Sequence, residues 1–183
     1  VNRRLIKTSK FLSLVLRHRP DRAGIELDAE GWVDVDHLIE GANRRGSGLT
    51  LELVHAAVAG NDKQRFALSE DGLRIRANQG HSLKTVDLGL RPERPPRTLF
   101  HGTVDAFLAS IREQGLLKRS RNHVHLSADR ATAEKVGSRR GRPVTLEVAS
   151  GEMSDAGIIF FLSANGVWLT EAVPPRFLTF PAC

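Results

Sequence analysis

The chain has 183 residues, 40% of them hydrophobic and 26% charged, with 27 Lys and Arg against 21 Asp and Glu and a formal net charge of +6. That length bounds it to one domain or two small lobes with a real core, and the composition excludes wholesale disorder. No run of about 18 apolar residues exists to span a membrane, no apolar signal segment follows Val1-Asn2-Arg3-Arg4, and the one cysteine, Cys183, excludes an intrachain disulfide and a multi-cysteine zinc site.

The first half reads as mostly helical. Ser9 is positioned to cap a helix carrying Phe11, Leu12, Val15 and Leu16 at helical spacing, and Pro20 stops it. Gly31-Trp32-Val33 is a short extended piece, after which Asp34 caps a helix to about Asn43. Thr50 caps another through Leu53, Val54 and Val58, ending at Gly60. Phe66 and Leu68, then Leu73 and Ile75, flank Glu70-Asp71-Gly72 and predict a hairpin. Three helices followed by a hairpin is the order of a winged helix, a fold-level analogy that does not fix function. Arg91-Pro92-Glu93-Arg94-Pro95-Pro96 is the expected boundary, because three prolines in five residues favour a stiff extended connector.

The second half reads as strands with two helices. Thr98–His101 is extended, and Val104, Phe107, Leu108 and Ile111 mark an amphipathic helix closed by Gly115. His123-Val124-His125-Leu126 alternates, with both histidines on one face. Ser127 or Asp129 caps a helix to about Val136. Further strands are expected at Val144–Val148, Ile158–Phe161, Val167–Thr170 and Phe177–Phe180.

Five stretches could carry chemistry, and each has a plain structural explanation beside it. Leu16-Arg17-His18-Arg19-Pro20 ends a helix with cations, which attraction to the helix dipole alone explains. Asn61-Asp62-Lys63-Gln64-Arg65-Phe66 reads by itself as a charged turn. Arg76-Ala77-Asn78-Gln79-Gly80-His81-Ser82 has almost no apolar anchor, so its donors and acceptors are expected to face outward, as a site or as an ordinary loop. Phe100-His101-Gly102-Thr103 reads as a strand end, a glycine and then a helix, where backbone amides can approach an anion or merely turn. In Arg119-Ser120-Arg121-Asn122-His123-Val124-His125-Leu126-Ser127 the paired histidines lack a nearby third ligand, so no metal is expected. Nine basic residues against three acidic ones over 112–142 concentrate positive charge around this last stretch. Arginine supplies 21 of the 27 basic residues, a bias that suits bidentate phosphate contacts and that high-GC coding also produces.

In combination the stretches are specific. Ser9-Lys10-Phe11-Leu12-Ser13 running into Leu16-Arg17-His18, Gly31-Trp32-Val33, Asp62-Lys63-Gln64-Arg65-Phe66, Ala77-Asn78-Gln79-Gly80-His81-Ser82, His101-Gly102-Thr103, Arg121-Asn122-His123-Val124-His125 and Asn165-Gly166-Val167-Trp168-Leu169-Thr170 follow in order over nearly the whole chain. In this the chain resembles the RNA 2′-phosphotransferase family, enzymes that remove the splice-junction 2′-phosphate from tRNA. The resemblance implies an α+β protein with an N-terminal winged-helix RNA-binding lobe over residues 1–91 and a C-terminal ADP-ribosyltransferase-like, β-rich NAD-binding lobe over residues 97–183. It implies two steps. The RNA 2′-phosphate attacks C1″ of the nicotinamide ribose and expels nicotinamide, giving a 2′-phospho-ADP-ribosyl RNA intermediate. The ribose 2″-hydroxyl then attacks the phosphate, releasing 2′-hydroxyl RNA and ADP-ribose 1″,2″-cyclic phosphate. NAD is consumed as a co-substrate, with no redox change and no metal.

The resemblance places the family's catalytic set on Arg17, His18, Arg65 and Arg121, the first three on the RNA phosphate and Arg121 on the phosphate and the NAD ribose. It places His101, Gly102 and Thr103 against the nicotinamide-proximal ribose and diphosphate. His101, His125 and Val167 are the residues that three strands offer in this enzyme class, and Ser127 and Asp129 are candidate adenosine-side contacts. Lys10, Lys63, Asn78, Gln79 and His81 are the candidate RNA contacts. Arg119 stands where the family usually has Met, and an extended segment would set Arg119 and Arg121 on one face. A cytoplasmic monomer with RNA and NAD as partners is expected. Two other functions are open: an ADP-ribosyltransferase that caps nucleic-acid phosphate ends, and a non-enzymatic winged-helix nucleic-acid-binding protein.

Overall fold

A computed structural model describes residues 3–60 and 63–181. Asn61 and Asp62 of the charged turn, and the terminal Cys183, lie outside the described residues. The fold is α+β with small antiparallel sheets, and the chain divides into two compact units, one up to Gly89 and one from Leu90.

The first unit opens with α1 (Arg3–Val15). This helix begins six residues before the expected cap, so Ser9 is a mid-helix residue. The buried stripe of α1 includes Thr8 with Leu12 and Val15, and a polar residue in that stripe hides the early turns from a hydrophobic count. A 3-10 turn over Pro20–Arg22 follows, then β1 (Val33–Asp34), α2 (Val35–Asn43), α3 (Leu51–Ala59), β2 (Phe66–Leu68) and β3 (Arg74–Ala77). The two expected caps are present: the Asp34 carboxylate accepts from His37 N–H at 3.0 Å and Thr50 Oγ1 from Leu53 N–H at 3.3 Å. The hairpin turns at Ser69–Gly72, where Asp71 accepts from the Ser69 hydroxyl and Gly72 N–H donates to Ser69 O at 2.9 Å. The sheet order is β1-β3-β2, with Val33 opposite Ile75 and Phe66 opposite Ala77. Leu12, Val15, Leu16, Leu38, Val54 and Ile75 are fully buried in one core that helices and sheet share. Each contributes about 1.5–3 kcal/mol of transfer free energy, which fixes the end of α1 against the hairpin.

The second unit contains β4 (Leu99–Val104), α4 (Leu108–Gln114), β5 (Leu116–Leu117), β6 (Val124–Leu126), α5 (Arg130–Gly137), β7 (Pro143–Val148), α6 (Ser150–Asp155), β8 (Phe160–Leu162), β9 (Trp168–Thr170), β10 (Ala172–Val173) and β11 (Leu178–Thr179). Two three-stranded sheets, β11-β7-β4 and β6-β9-β8, are joined by a bridge between Phe100 and Ser127, and β10 pairs with β5. Leu99, Leu146 and Val148 from one sheet and Val124, Leu126, Phe160 and Trp168 from the other fill one core. Asp129, not Ser127, caps α5, accepting from Thr132 N–H at 2.7 Å. Ser127 instead exchanges backbone hydrogen bonds with Phe100.

The proline run packs on the second unit: Pro92 bridges Phe161, Glu93 N–H donates to Phe160 O, and Pro96 O accepts from buried Ser150. Proline cannot donate to a sheet, and Pro92 bridges β8, the outer strand of the β6-β9-β8 sheet, where that costs little. His101-Gly102-Thr103 is not a strand end, because all three residues sit inside β4 and pair with Leu146, Thr145 and Val144. The chain leaves the strand only after Val104, through a 3-10 turn at Asp105–Phe107. The segment before His123 is not extended either. Arg121 N–H donates to Lys118 O at 3.0 Å, closing a turn in which Arg119 has φ +56°.

Candidate functional site

The chemistry-bearing residues fall into one cluster in each unit. In the first unit, Arg17 and His18 lie just past α1, where the last helical bond, His18 N–H to Leu14 O, shares its acceptor with Arg19 N–H. The segment 78–82 holds them. Ser82 N–H donates to Arg17 O at 3.0 Å, and the Ser82 hydroxyl lies 3.0 Å from His18 Nδ1. Gly80 packs against the Arg17 side chain, whose Nη1 would lie 3.5 Å from a β-carbon at that position. At the other end of the segment, Asn78 N–H donates to Arg65 O at 2.9 Å and the Asn78 side-chain amide donates to Gln64 O. One five-residue stretch therefore ties the dyad after α1 to the entrance of β2.

The expectation that this stretch faces outward is wrong. Asn78 is 7% exposed and His81 is 3% exposed. Both have turned inward, and the reason is that Asn78 supplies the hydrogen bonds that a strand start needs while His81 fills space beside Arg17. Burial first, and then the nearby charges of Arg17, His18 and Arg76, push the His81 imidazole down from 6.5 to about 4. His81 is thus neutral when folded but protonates near 6.5 when unfolded. The stability it confers is complete above about pH 6.5 and is lost as pH falls through about 4. Urea titrations at pH 7 and pH 5 should show about 2 kcal/mol of acid-dependent loss that His81→Gln lacks; parallel losses in both proteins would refute it.

In the second unit, a cavity of about 630 Å³ is lined by His101, Gly102 and Thr103 of β4 and by Arg119, Arg121 and His125, among others. His101 Nδ1–H donates to the carbonyl of His125 at 3.1 Å, which leaves Nε2 of the neutral ring as an acceptor. Arg121 Nη1 donates to His125 Nδ1 at 3.3 Å, so the arginine is braced by β6. The Lys118–Arg121 turn brings both Arg119 and Arg121 to the cavity despite the lost alternation. Gly102 admits the close approach of α5: a β-carbon there would lie 1.7 Å from Ala133 O.

Several predicted residues lie elsewhere. Ser127, Asp129 and Val167 are not among the residues lining the cavity. The Asp129 carboxylate is engaged as a helix cap, and the hydrogen bonds from Thr132 hold it below the usual carboxylate range. Val167 closes the β8–β9 turn, its N–H donating to the Ser163 hydroxyl. Lys10 is exposed on α1, Lys63 and Arg65 are half-buried, and Gln79 is half-buried. Among the described residues no group of three His, Cys, Asp or Glu is placed to hold a metal ion.

Sequence reasoning passed over Phe107, Leu117 and Val136, which line the cavity yet are 43%, 46% and 41% exposed. Periodicity assigns such residues to a core; only their excess over the buried stripe, which takes Ile111 but leaves Phe107 out, marks them. Ser82 was visible as part of a motif, but its pairing with His18, 64 residues away in the chain, has no local signature.

A family model for RNA 2′-phosphotransferase, the Tpt1/KptA family, matches residues 3–172. The chain is 63% identical over 180 residues to a probable RNA 2′-phosphotransferase of Rhodopirellula baltica, covering 98% of both proteins. It is 57% identical over 171 residues to one from Pseudomonas aeruginosa strain UCBPP-PA14, covering 93% of this chain and 94% of that protein. A third, from Flavobacterium johnsoniae, is 54% identical over 172 residues and 94% of each chain. With matches of that extent running through both clusters, the chain belongs to the RNA 2′-phosphotransferase, Tpt1/KptA, family of transferases.

Proposed function

We propose that this chain removes an internal 2′-phosphate from RNA by an NAD-dependent transfer in two steps. The RNA 2′-phosphate displaces nicotinamide from C1″ of the ribose. The adjacent 2″-hydroxyl then attacks the phosphorus, and the RNA leaves with a 2′-hydroxyl while ADP-ribose 1″,2″-cyclic phosphate remains. NAD supplies the electrophilic ribose carbon and the second nucleophile and is consumed.

The observation that carries this reading is the cavity of the second unit. Its volume of about 630 Å³ suits a nucleotide-sized ligand. Phe107, Leu117 and Val136 offer apolar lining for a flat ring, and His101, Arg119, Arg121 and His125 offer polar and cationic lining for a ribose and its diphosphate. His101, held by the His125 carbonyl, presents a fixed acceptor to a ribose hydroxyl. Arg121 bears on the ribose and the phosphate joined to it. The two small sheets around one core support an ADP-ribosyltransferase-like lobe, and the helix, strand, helix, helix, hairpin order of the first unit supports a winged-helix RNA lobe.

Arg17, His18 and Arg65 bind the RNA phosphate. A phosphate monoester carries up to two negative charges, and guanidinium forks meet it bidentately. As the second step proceeds, charge gathers on the phosphoryl oxygens, and placed cations stabilise it most at that moment. His18 donates to the same group, and imidazole is suited to moving protons near neutrality. Lys10, Lys63 and Gln79 are the RNA contacts, whereas the inward Asn78 and His81 hold the segment that supports the dyad.

A winged-helix protein that only reads duplex DNA fits less well. The exposed residues of α3 are Leu51, Glu52, His55 and Ala59, with no Lys or Arg for a phosphate backbone. The test is direct. The protein is incubated with NAD and an RNA bearing one internal 2′-phosphate, and nicotinamide and ADP-ribose cyclic phosphate are expected. Neither product appearing refutes the reading. Stable ADP-ribosylated RNA without the cyclic product makes the chain an ADP-ribosyltransferase of nucleic-acid phosphates instead.

A further inference from the structure

We propose that Ser82 is a positioning residue that fixes the ring orientation and tautomer of His18, so that Nε2 of that histidine carries the proton offered to a bound phosphate. The inference rests on the reading of Arg17 and His18 as phosphate ligands and adds the residue that prepares them.

Ser82 makes two contacts to consecutive residues. Its backbone N–H donates to Arg17 O, and its hydroxyl lies 3.0 Å from His18 Nδ1. The first contact supplies a partner to Arg17 O at the C-terminal end of the helix, where the last carbonyls have no intrahelical donor. The second fixes the ring. With the neutral imidazole, the hydroxyl accepts from Nδ1–H or donates to Nδ1, and an anion facing Nε2 selects the second arrangement, in which the ring proton resides on Nε2. With the imidazolium, Nδ1–H donates to the hydroxyl oxygen, and Nε2 keeps its proton. A hydroxyl serves both states without rotating the ring, and Nε2 is a donor in each.

The choice of a hydroxyl is itself informative. A carboxylate at this place would orient the ring equally well, but it would set a negative charge within about 3 Å of a group meant to receive a phosphate, at a Coulomb cost felt most where water is scarce. Serine orients without charge. Its surroundings make the placement firm: Gly80 packs on Arg17, buried His81 lies beside the dyad, and Asn78 anchors the far end of the same segment to Arg65 O. Removing the hydroxyl leaves the backbone contact to Arg17 in place, so the ring loses its orientation while the fold keeps its tie.

The test compares wild type with Ser82→Ala and Ser82→Thr. In nitrogen-15 spectra of histidine-labelled protein with inorganic phosphate present, His18 is expected in the Nε2–H tautomer in wild type and Ser82→Thr, and in a tautomer mixture in Ser82→Ala. Turnover of an internal 2′-phosphate RNA is expected to fall at least about tenfold in kcat in Ser82→Ala, with KM for NAD unchanged and with recovery in Ser82→Thr, as befits a misoriented group. An unchanged His18 tautomer in Ser82→Ala overturns the proposal, as does wild-type kcat. If wild type turns over no RNA, the functional reading has failed, and the spectra alone decide the role of Ser82. If Ser82→Ala does not fold, Ser82→Cys, which keeps the volume and weakens the hydrogen bond, takes its place with the same expected spectra.

Discussion

Alanine at Arg17, Arg65 or Arg121 is expected to lower kcat for 2′-phosphate transfer by about two to three orders of magnitude each, the usual loss when one donor to a charge-gathering transition state is removed. The effect at Arg17 and Arg65 should reach kcat more than binding of RNA. The ground-state phosphate keeps its other ligands and the rest of the RNA surface, whereas the second step needs every placed charge. Lysine is not expected to rescue Arg17. Its guanidinium packs against Gly80 in a fixed orientation, and a single ammonium cannot reproduce a planar fork at that place. Arg121 differs in its surroundings, since its Nη1 rests on His125 Nδ1, and His125→Ala should therefore weaken catalysis in the same direction but less than Arg121→Ala. Steady-state rates with NAD and a 2′-phosphorylated RNA measure all five variants. Rates near wild type in the alanine variants of Arg17 and Arg65 together would sink the proposed phosphate grip.

Legibility followed the physics of each element. The caps at Asp34 and Thr50 were readable, and that of α5 was narrowed to Ser127 or Asp129, because a side-chain oxygen serving an orphan N–H is a local event, confined to four residues. The β2–β3 hairpin was readable for the same reason. The first turns of α1 were missed because Thr8 takes a place in the buried stripe, and α6 and the β5–β10 pair were missed because short elements carry too few periods to count. The strand placement of Gly102 and Thr103 was missed because glycine reads as a breaker, whereas here it is a flat spot for a helix. At the site, residue types were legible and partners were not. Arg17, His18 and Arg65 could be named from motifs, but their brace through Ser82 and Asn78 joins positions far apart in sequence, and only folding reveals it. The inward turn of His81 is a case where composition misleads, because a polar loop was expected to be wet and is instead packed near Arg17 and Arg76.

Gly102→Ala is expected to be the most destabilising single-methyl change in the second unit. The added carbon would lie 1.7 Å from Ala133 O, 2.7 Å from Ala133 C and 2.9 Å from Gly137 N, all backbone atoms of α5. A side chain could rotate away from such a clash; a helix backbone cannot, so α5 must lift from β4 as a body. Gly137 allows the same approach from the other side, since a β-carbon there would meet Thr103 O at 2.8 Å, and the two glycines together let helix and strand lie in direct backbone contact. Overpacking of a site with no room to relax costs about 3 kcal/mol or more, which for a unit of this size lowers the transition by roughly 10–20 °C. Because β4 carries His101 and Thr103 and α5 ends beside the same cavity, its shape changes with the helix, and binding of NAD should weaken even in protein that remains folded. The loss should be confined to one unit. Hydrogen exchange in Gly102→Ala should rise at amides of β4, β7 and α5 while α1, α2 and α3 keep their protection, because the first unit has a core of its own. A wild-type melting temperature, or an equal rise of exchange in both units, would show that α5 does not depend on glycine at this contact.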